Sequence, residues 1–148
     1  MEDFIDKLNE TLKELDQEYD INCGGCCWVS YLLAQLLEQH KIPYSFVIED
    51  DCEYMEDDCL LDSVFNRNLA EGCRGLFDET CIHYMVAIKG CLINPMYDTD
   101  EDYCHWFPQL DSSDIKWIYD TGSWNHHFNC SCKDLISDKL TKFFDENL

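Results

Sequence analysis

A cysteine-rich turn, Cys23-Gly24-Gly25-Cys26-Cys27, precedes a strongly apolar segment and is the part of this sequence best suited to nucleophilic chemistry. A cysteine at a helix start has its thiolate stabilised by the helix dipole, and free main-chain N–H groups there bind an oxyanion. Such a thiolate needs a base, and the base needs an orienting partner. Because His83 and Asn94 follow in that order, we predict a Cys-His-Asn active site whose oxyanion is bound in part by the main-chain N–H of Cys26.

The choice between Cys26 and Cys27 depends on helix phase. Positions three, four, seven and eleven after Cys26 are Val29, Ser30, Leu33 and Leu37, whereas the same positions after Cys27 are Ser30, Tyr31, Ala34 and Glu38. Cys26 is therefore expected to face the core and the sheet that supplies its base. We take Cys26 as the nucleophile and keep Cys27 as the alternative.

The base and its partner are predicted to lie on one β-hairpin. Residues 81–88 have the composition of a strand, and Lys89-Gly90 predicts a two-residue turn. In that register His83 and Asn94 share a face as diagonal neighbours, with Cα atoms about 7–8 Å apart, so that the amide can hold one imidazole tautomer. A longer, bulged turn would break this parity and make Asp98 the third member.

The elements that must position these residues are read from hydrophobic periodicity and turn signals. We expect four helices: a first to about Asp16, a second from Cys26 that Pro43 stops, a short third over residues 60–69, and a last that opens with a capping box at Ser131 and Asp134. The expected strands are 44–48, 81–88, 91–94 and 115–119, and the acidic stretches 49–58 and 98–102 are expected to be loops. The pattern predicts an α+β protein.

The same segments resemble those of a known superfamily. The apolar helix from Cys26 to Ile42-Pro43 resembles the nucleophile helix of transglutaminase-like enzymes, although Lys41 stands where a glycine is usual. Gly25-Cys26-Cys27-Trp28 also resembles the Gly-x-Cys-Trp start of papain and animal transglutaminases, a match that favours Cys27. His83-Tyr84-Met85-Val86 resembles the superfamily's histidine strand, and Ile93-Asn94-Pro95 resembles the segment that carries its Asp or Asn.

This resemblance covers roughly residues 20–96 and implies a papain-like (transglutaminase-like) fold, in which the nucleophile helix packs on a small antiparallel sheet. It implies acyl transfer on a peptide or a glutamine amide, as a cysteine peptidase, deamidase or transglutaminase, without a cofactor.

Length and charge set the remaining limits. The 148 residues suit one domain, residues 1–148. With 31 acidic residues against 10 Lys and Arg, the formal net charge is −21. Nucleic acid is not an expected ligand, because phosphate binding needs clustered cations. A basic peptide or protein is favoured instead, and the alternative function is a non-catalytic acidic interaction or inhibitor protein that binds a basic surface on the same fold.

The 11 cysteines raise two further questions. The charged start and the lack of a long apolar run predict a cytoplasmic protein, or one of the host cytoplasm if viral, with reduced cysteines and no membrane contact.

Zinc is the rival chemistry, with ligands from Cys23-x-x-Cys26, His126-His127 and Cys130-Ser131-Cys132. The one-residue spacing of the last pair is shorter than usual, so we expect no metal.

Overall fold

In a computed structural model of the protein, residues 1–22, 24–50, 82–121, 128 and 131–148 are described. The α-helices in these ranges are α1 (Glu2–Tyr19), α2 (Cys26–Gln39), α3 (Ser112–Thr121) and α4 (Lys133–Asn147). The strands are β1 (Ser45–Asp50), β2 (Ile82–Ile88), β3 (Cys91–Ile93) and β4 (Cys104–Phe107), and a 3₁₀ turn at Glu101–Tyr103 precedes β4. The predicted helix over 60–69 and the acidic residues 51–58 lie outside the described residues.

The strands form one antiparallel sheet in the order β3-β2-β1-β4. The predicted hairpin register is confirmed, because Val86 pairs with Ile93 and Ile88 with Cys91. Lys89 and Gly90 form the two-residue turn with φ values of 52° and 78°, as a type I′ turn requires. The described part of the chain is therefore an α+β structure with a small antiparallel sheet, as predicted.

α1 runs past its predicted end. Its buried residues recur at helical spacing and are Phe4, Ile5, Leu8, Leu12 and Leu15. The helix ends where Asp20 adopts a left-handed conformation and its N–H donates to the Asp16 carbonyl at 2.8 Å. Helices commonly stop at such a residue.

α2 ends before Pro43, in a Schellman motif. Lys41 has a φ of 57°, its N–H donates to the Glu38 carbonyl at 3.1 Å, and the Ile42 N–H donates to the Leu37 carbonyl at 2.9 Å. The left-handed position is usually glycine, because a Cβ there is unfavourable. The proline follows the motif and does not itself end the helix.

Two local predictions were wrong. Residues 115–119 belong to helix α3, in which the buried Ile115 and Ile118 are three residues apart. This helix begins with a capping box, since the Asp111 carboxylate accepts from the Asp114 N–H and the Asp114 carboxylate accepts from the Asp111 N–H, each at 3.0 Å. No side-chain cap is present at the start of α4, where the box was predicted.

The sheet also differs from the prediction in two ways: β1 extends beyond its predicted end, and a fourth strand, β4, is present. Glu49 and Asp50, which were predicted to begin an acidic loop, are buried residues of β1. β4, at residues 104–107, was not predicted, and it pairs with β1 from Phe46–Phe107 to Glu49–Cys104. The extra strand covers the second edge of β1, so the acid at position 49 lies inside the sheet.

The buried apolar residues that the structure describes form three clusters, two on the face of the sheet that α2 covers and one on the opposite face. α2 contributes most of its apolar side chains to a core shared with α1, α4, Val86 and Ile88. Its first residues join a second cluster with Phe46, Tyr84 and side chains of α3. A third, smaller cluster holds Val47, Met85 and Ala87. Because side chains alternate along a strand, α2 packs on the face of β2 that carries Tyr84, Val86 and Ile88.

Candidate functional site

The turn before α2 is shaped so that Cys26 begins the helix. Gly25 is the N-cap, and its N–H donates to the Ile21 carbonyl at 2.7 Å. A Cβ at Gly25 would lie 2.5 Å from that carbonyl oxygen and 2.9 Å from the Phe128 ring, so that glycine alone fits here. Ser30 donates from its hydroxyl to the Cys26 carbonyl at 2.8 Å. The predicted helix start is confirmed.

Both candidate thiols are buried and neutral. Cys26 is 2% exposed and Cys27 is fully enclosed. Burial raises the pKa of Cys26 to about 11, and main-chain hydrogen bonds, first from Tyr84, only partly offset it. The pKa of Cys27 is also raised, by burial and then by the nearby Cys26 and Asp120. Desolvation therefore exceeds the stabilisation that a helix start gives to a thiolate.

His83 is buried and bound to a main-chain group. Its Nε2 lies 2.9 Å from the main-chain oxygen of Asn94, and a carbonyl oxygen only accepts, so Nε2 carries a hydrogen. Across the sheet His83 stands opposite Glu49, which is also buried. The Glu49 carboxylate accepts from the Asp100 N–H at 2.6 Å. The Nε2 atom of His83 is therefore bonded to the main chain of Asn94 and does not face an open cleft.

The structure does not bring Cys26 and His83 together. By strand alternation His83 shares a face with Met85 and Ala87, whereas Cys26 and Cys27 pack with Tyr84 on the opposite face. No hydrogen bond joins the Cys26 thiol to the His83 ring within the described ranges. The expected nucleophile and base are thus separated by the sheet, because α2 covers the face that His83 does not occupy.

Asn94 does meet His83, but through its main chain. Its φ is 68°, and its side-chain amide donates to Asn22 Oδ1 at 3.1 Å instead of to the imidazole. Its N–H donates to Asn9 Oδ1 at 2.8 Å, and Asn9 Nδ2 donates to the Leu92 carbonyl at 3.1 Å. The three asparagines tie β3 to α1 and to the turn before α2. Asp98, the alternative third member, is exposed, and the bulged turn that favoured it is absent from this hairpin.

A groove beside this asparagine network was missed by sequence reasoning. It lies between α1 and residues 94–97, encloses about 670 Å³, and includes Asn9, Asn22 and Asn94 along its length. We call it the α1 groove. The three asparagines are far apart in sequence and form no motif. The one available signal was Met96-Tyr97, an apolar pair next to an acidic stretch.

The proposed zinc ligands are not assembled in the described chain. Cys26 packs among apolar side chains, and Cys132 is disulfide-bonded. Cys23, Cys130 and the His126-His127 pair lie outside the described residues. Within the described ranges, no group of three or more His, Cys, Asp or Glu side chains is arranged to hold a metal ion.

The disulfide at Cys132 corrects one further expectation. Cysteines were expected to be reduced, and this holds for the described Cys26, Cys27, Cys91 and Cys104 but not for Cys132. Its side chain is buried, and Cys132 is the N-cap residue of α4. Among the described helices, none combines the length and hydrophobicity needed to cross a membrane.

Comparison of the chain with protein-family models, with curated proteins and with solved structures gives no match.

Proposed function

We propose that this protein is a non-catalytic binding protein whose acidic surface engages a basic surface of another protein. The observation that carries the proposal is the formal net charge of −21. A field of that sign attracts basic partners and speeds their encounter. Enzymatic acyl transfer, the other candidate, has less support because the buried Cys26 thiol has no imidazole bound to it in the described structure.

The distribution of charge strengthens the proposal. Four described lysines form ion pairs with acids of this chain: Lys7 with Asp3, Lys116 with Asp120, Lys139 with Glu18, and Lys142 with Glu146. Within the described residues, no ion pair is formed by the exposed carboxylates of Glu10 and Glu14 in α1 or by those of Asp98 and Glu101 after the hairpin. Four of the ten Lys and Arg residues are thus paired within the chain, and the excess of acidic over basic residues leaves a net negative charge for a partner.

We infer a papain-like (transglutaminase-like) arrangement for the same chain. In support, a helix that begins at a cysteine packs on an antiparallel sheet, and the next strand after β1 in the described chain carries a histidine joined to an asparagine. A binding protein on this arrangement keeps the scaffold without the thiol chemistry.

The test is saturable binding of a fluorescein-labelled oligo-arginine peptide, measured by fluorescence anisotropy at several salt concentrations. The same peptide with citrulline at each arginine position is the neutral control, because citrulline keeps the shape and removes the charge. The arginine peptide is expected to bind, and its Kd is expected to rise steeply as the Debye length falls from about 10 Å at 0.1 M salt to about 3 Å at 1 M.

Cys26→Ala separates the two candidate functions. A binding protein is expected to keep its peptide Kd within about twofold, since the buried thiol contacts no ligand and the truncation is small. Equal binding of the arginine and citrulline peptides, or no saturable binding at low salt, would contradict the proposal. Loss of a measured acyl-transfer activity in Cys26→Ala would restore the enzyme hypothesis.

A further inference from the structure

The α1 groove has the size and lining of a ligand site. Its volume of about 670 Å³ lies within the range of about 300–1,000 Å³ typical of such sites. One wall is α1, with the carboxylates of Glu10 and Asp16 and the ammonium group of Lys13, and the other wall is Pro95, Met96 and Tyr97. The groove therefore has one charged wall and one apolar wall.

The apolar wall is solvent-exposed. Tyr97 is completely exposed and Met96 is 39% exposed. The loop that carries them is held by local hydrogen bonds, since the Met96 N–H donates to Thr99 Oγ1 at 2.8 Å and the Thr99 N–H donates to the Met96 carbonyl at 3.1 Å. An exposed aromatic ring on a hydrogen-bonded loop contributes contact area at little entropic cost.

The acidic wall keeps free hydrogen-bonding capacity. Asp16 Oδ1 accepts from the Asn22 N–H at 2.8 Å, and no bond within the described residues uses its second carboxylate oxygen. Asn94 Nδ2 is bound to Asn22 Oδ1, so the other amide atoms, Asn94 Oδ1 and Asn22 Nδ2, are left for a ligand in this part of the chain. One acceptor and one donor are the two kinds of group that hydrogen-bond to the N–H and the C=O of a peptide main chain.

These features together favour arginine, because the two carboxylates of the α1 wall outnumber its single ammonium group, that of Lys13. Its guanidinium pairs with carboxylates through several N–H groups and stacks on an aromatic ring, and its aliphatic stem packs on apolar side chains. We infer that the α1 groove binds an extended segment of the basic partner, with an arginine between the Glu10–Asp16 wall and the Tyr97 ring. This inference rests on the proposed function and names its site and the side chain that is recognised.

The first measurement compares Kd for an alternating arginine-glycine peptide between wild type and variants of each wall. Tyr97→Ala is expected to weaken binding about threefold, since an exposed cation–π contact contributes about that factor, whereas Tyr97→Phe is expected to bind like wild type. Glu10→Gln and Asp16→Asn are each expected to weaken binding more than Glu14→Gln, which removes the same charge from the same helix outside the groove.

Peptide chemistry gives the second measurement. A peptide with lysine in place of each arginine is expected to bind wild type more weakly than the arginine peptide does. The difference in affinity between the two peptides is expected to be smaller for Tyr97→Ala, because the tyrosine ring favours the planar guanidinium. Circular dichroism checks that each variant is folded. If binding is salt-sensitive but Glu10→Gln and Tyr97→Ala weaken it no more than Glu14→Gln does, the peptide does not bind in the α1 groove. The proposed function would then remain intact. No salt-sensitive binding by wild type would overturn both.

Discussion

At the scale of single residues, the chemistry of Cys26 is set by desolvation. The position at a helix start favours the thiolate, but enclosure by apolar side chains disfavours any charge there. Burial raises the pKa of Cys26 to about 11, so that the thiol is almost entirely neutral at pH 7. The residue behaves as a small apolar group that packs α2 against β2.

This burial predicts the order of thiol reactivity. Cys91 at the hairpin turn is exposed, whereas Cys26 and Cys27 are buried. During brief iodoacetamide treatment near neutral pH, Cys91 is expected to be carbamidomethylated much faster than either, as measured by peptide mass mapping. Labelling of Cys26 at the rate of Cys91 or faster would show an activated thiolate and contradict the burial argument.

Asn94 is the second residue whose role depends on its conformation. Its φ of 68° favours asparagine or glycine. Asn94→Ala is expected to lower the free energy of unfolding by about 1–2 kcal/mol through left-handed strain, in addition to the lost bond to Asn22. Asn94→Gly loses the same bond without the strain. In urea unfolding, Asn94→Ala should therefore have a lower free energy of unfolding than Asn94→Gly. Equal values would contradict the argument that alanine is strained at this position.

At the scale of elements, the helix ends are the most sensitive local features. Lys41 occupies the left-handed position of the Schellman motif that ends α2. Lys41→Gly is expected to raise the free energy of unfolding by up to about 1 kcal/mol, because glycine has no Cβ to strain there. Lys41→Ala removes the same charge without that benefit and is the control. A gain in both variants would indicate a charge effect instead.

The capping box of α3 makes a pH-dependent prediction. Asp111→Ala is expected to cost about 1 kcal/mol near neutral pH. The Ser113 hydroxyl, with help from the Asp114 N–H, lowers the pKa of Asp111 in the folded state. A carboxyl with a lowered folded pKa stabilises above its unfolded pKa of about 3.9 and loses this effect as the pH falls through the folded value.

The gap in melting temperature between wild type and Asp111→Ala should therefore close as the pH falls below about 4. Ser131→Ala is the matched control, because Ser131 was predicted to cap α4 and the helix has no side-chain cap in the structure. Its melting temperature should stay close to that of wild type at every pH. A constant gap for Asp111→Ala would contradict the role of the ionised carboxyl.

At the scale of the whole molecule, a net charge of −21 opposes compactness. Screening this self-repulsion should stabilise the fold, so the melting temperature is expected to rise as the Debye length shrinks from about 30 Å at 0.01 M to about 8 Å at 0.15 M salt. Differential scanning calorimetry in sodium chloride measures this, with sucrose at matched osmolality as the uncharged control. A melting temperature that falls with salt would mean that the internal ion pairs outweigh the repulsion.

Much of the secondary structure could be predicted from short-range patterns. The apolar spacing of α1, the turn before Cys26 and the Lys89-Gly90 turn are local signals, and each was confirmed. β4 was missed because four residues carry little periodicity. Residues 115–119 were assigned to a strand because their β-branched and aromatic content outweighed the helical spacing of Ile115 and Ile118.

For the candidate site, the sequence by itself determined that His83 and Asn94 meet, because a two-residue turn fixes the register of a hairpin and register fixes which residues are neighbours. Only the tertiary structure decided that α2 covers the opposite face of β2, and that α1 and residues 94–97 enclose a groove. Register follows from neighbouring residues and covalent geometry. The choice of a sheet face depends on how segments distant in the chain compete to bury their apolar surface, which no local pattern encodes.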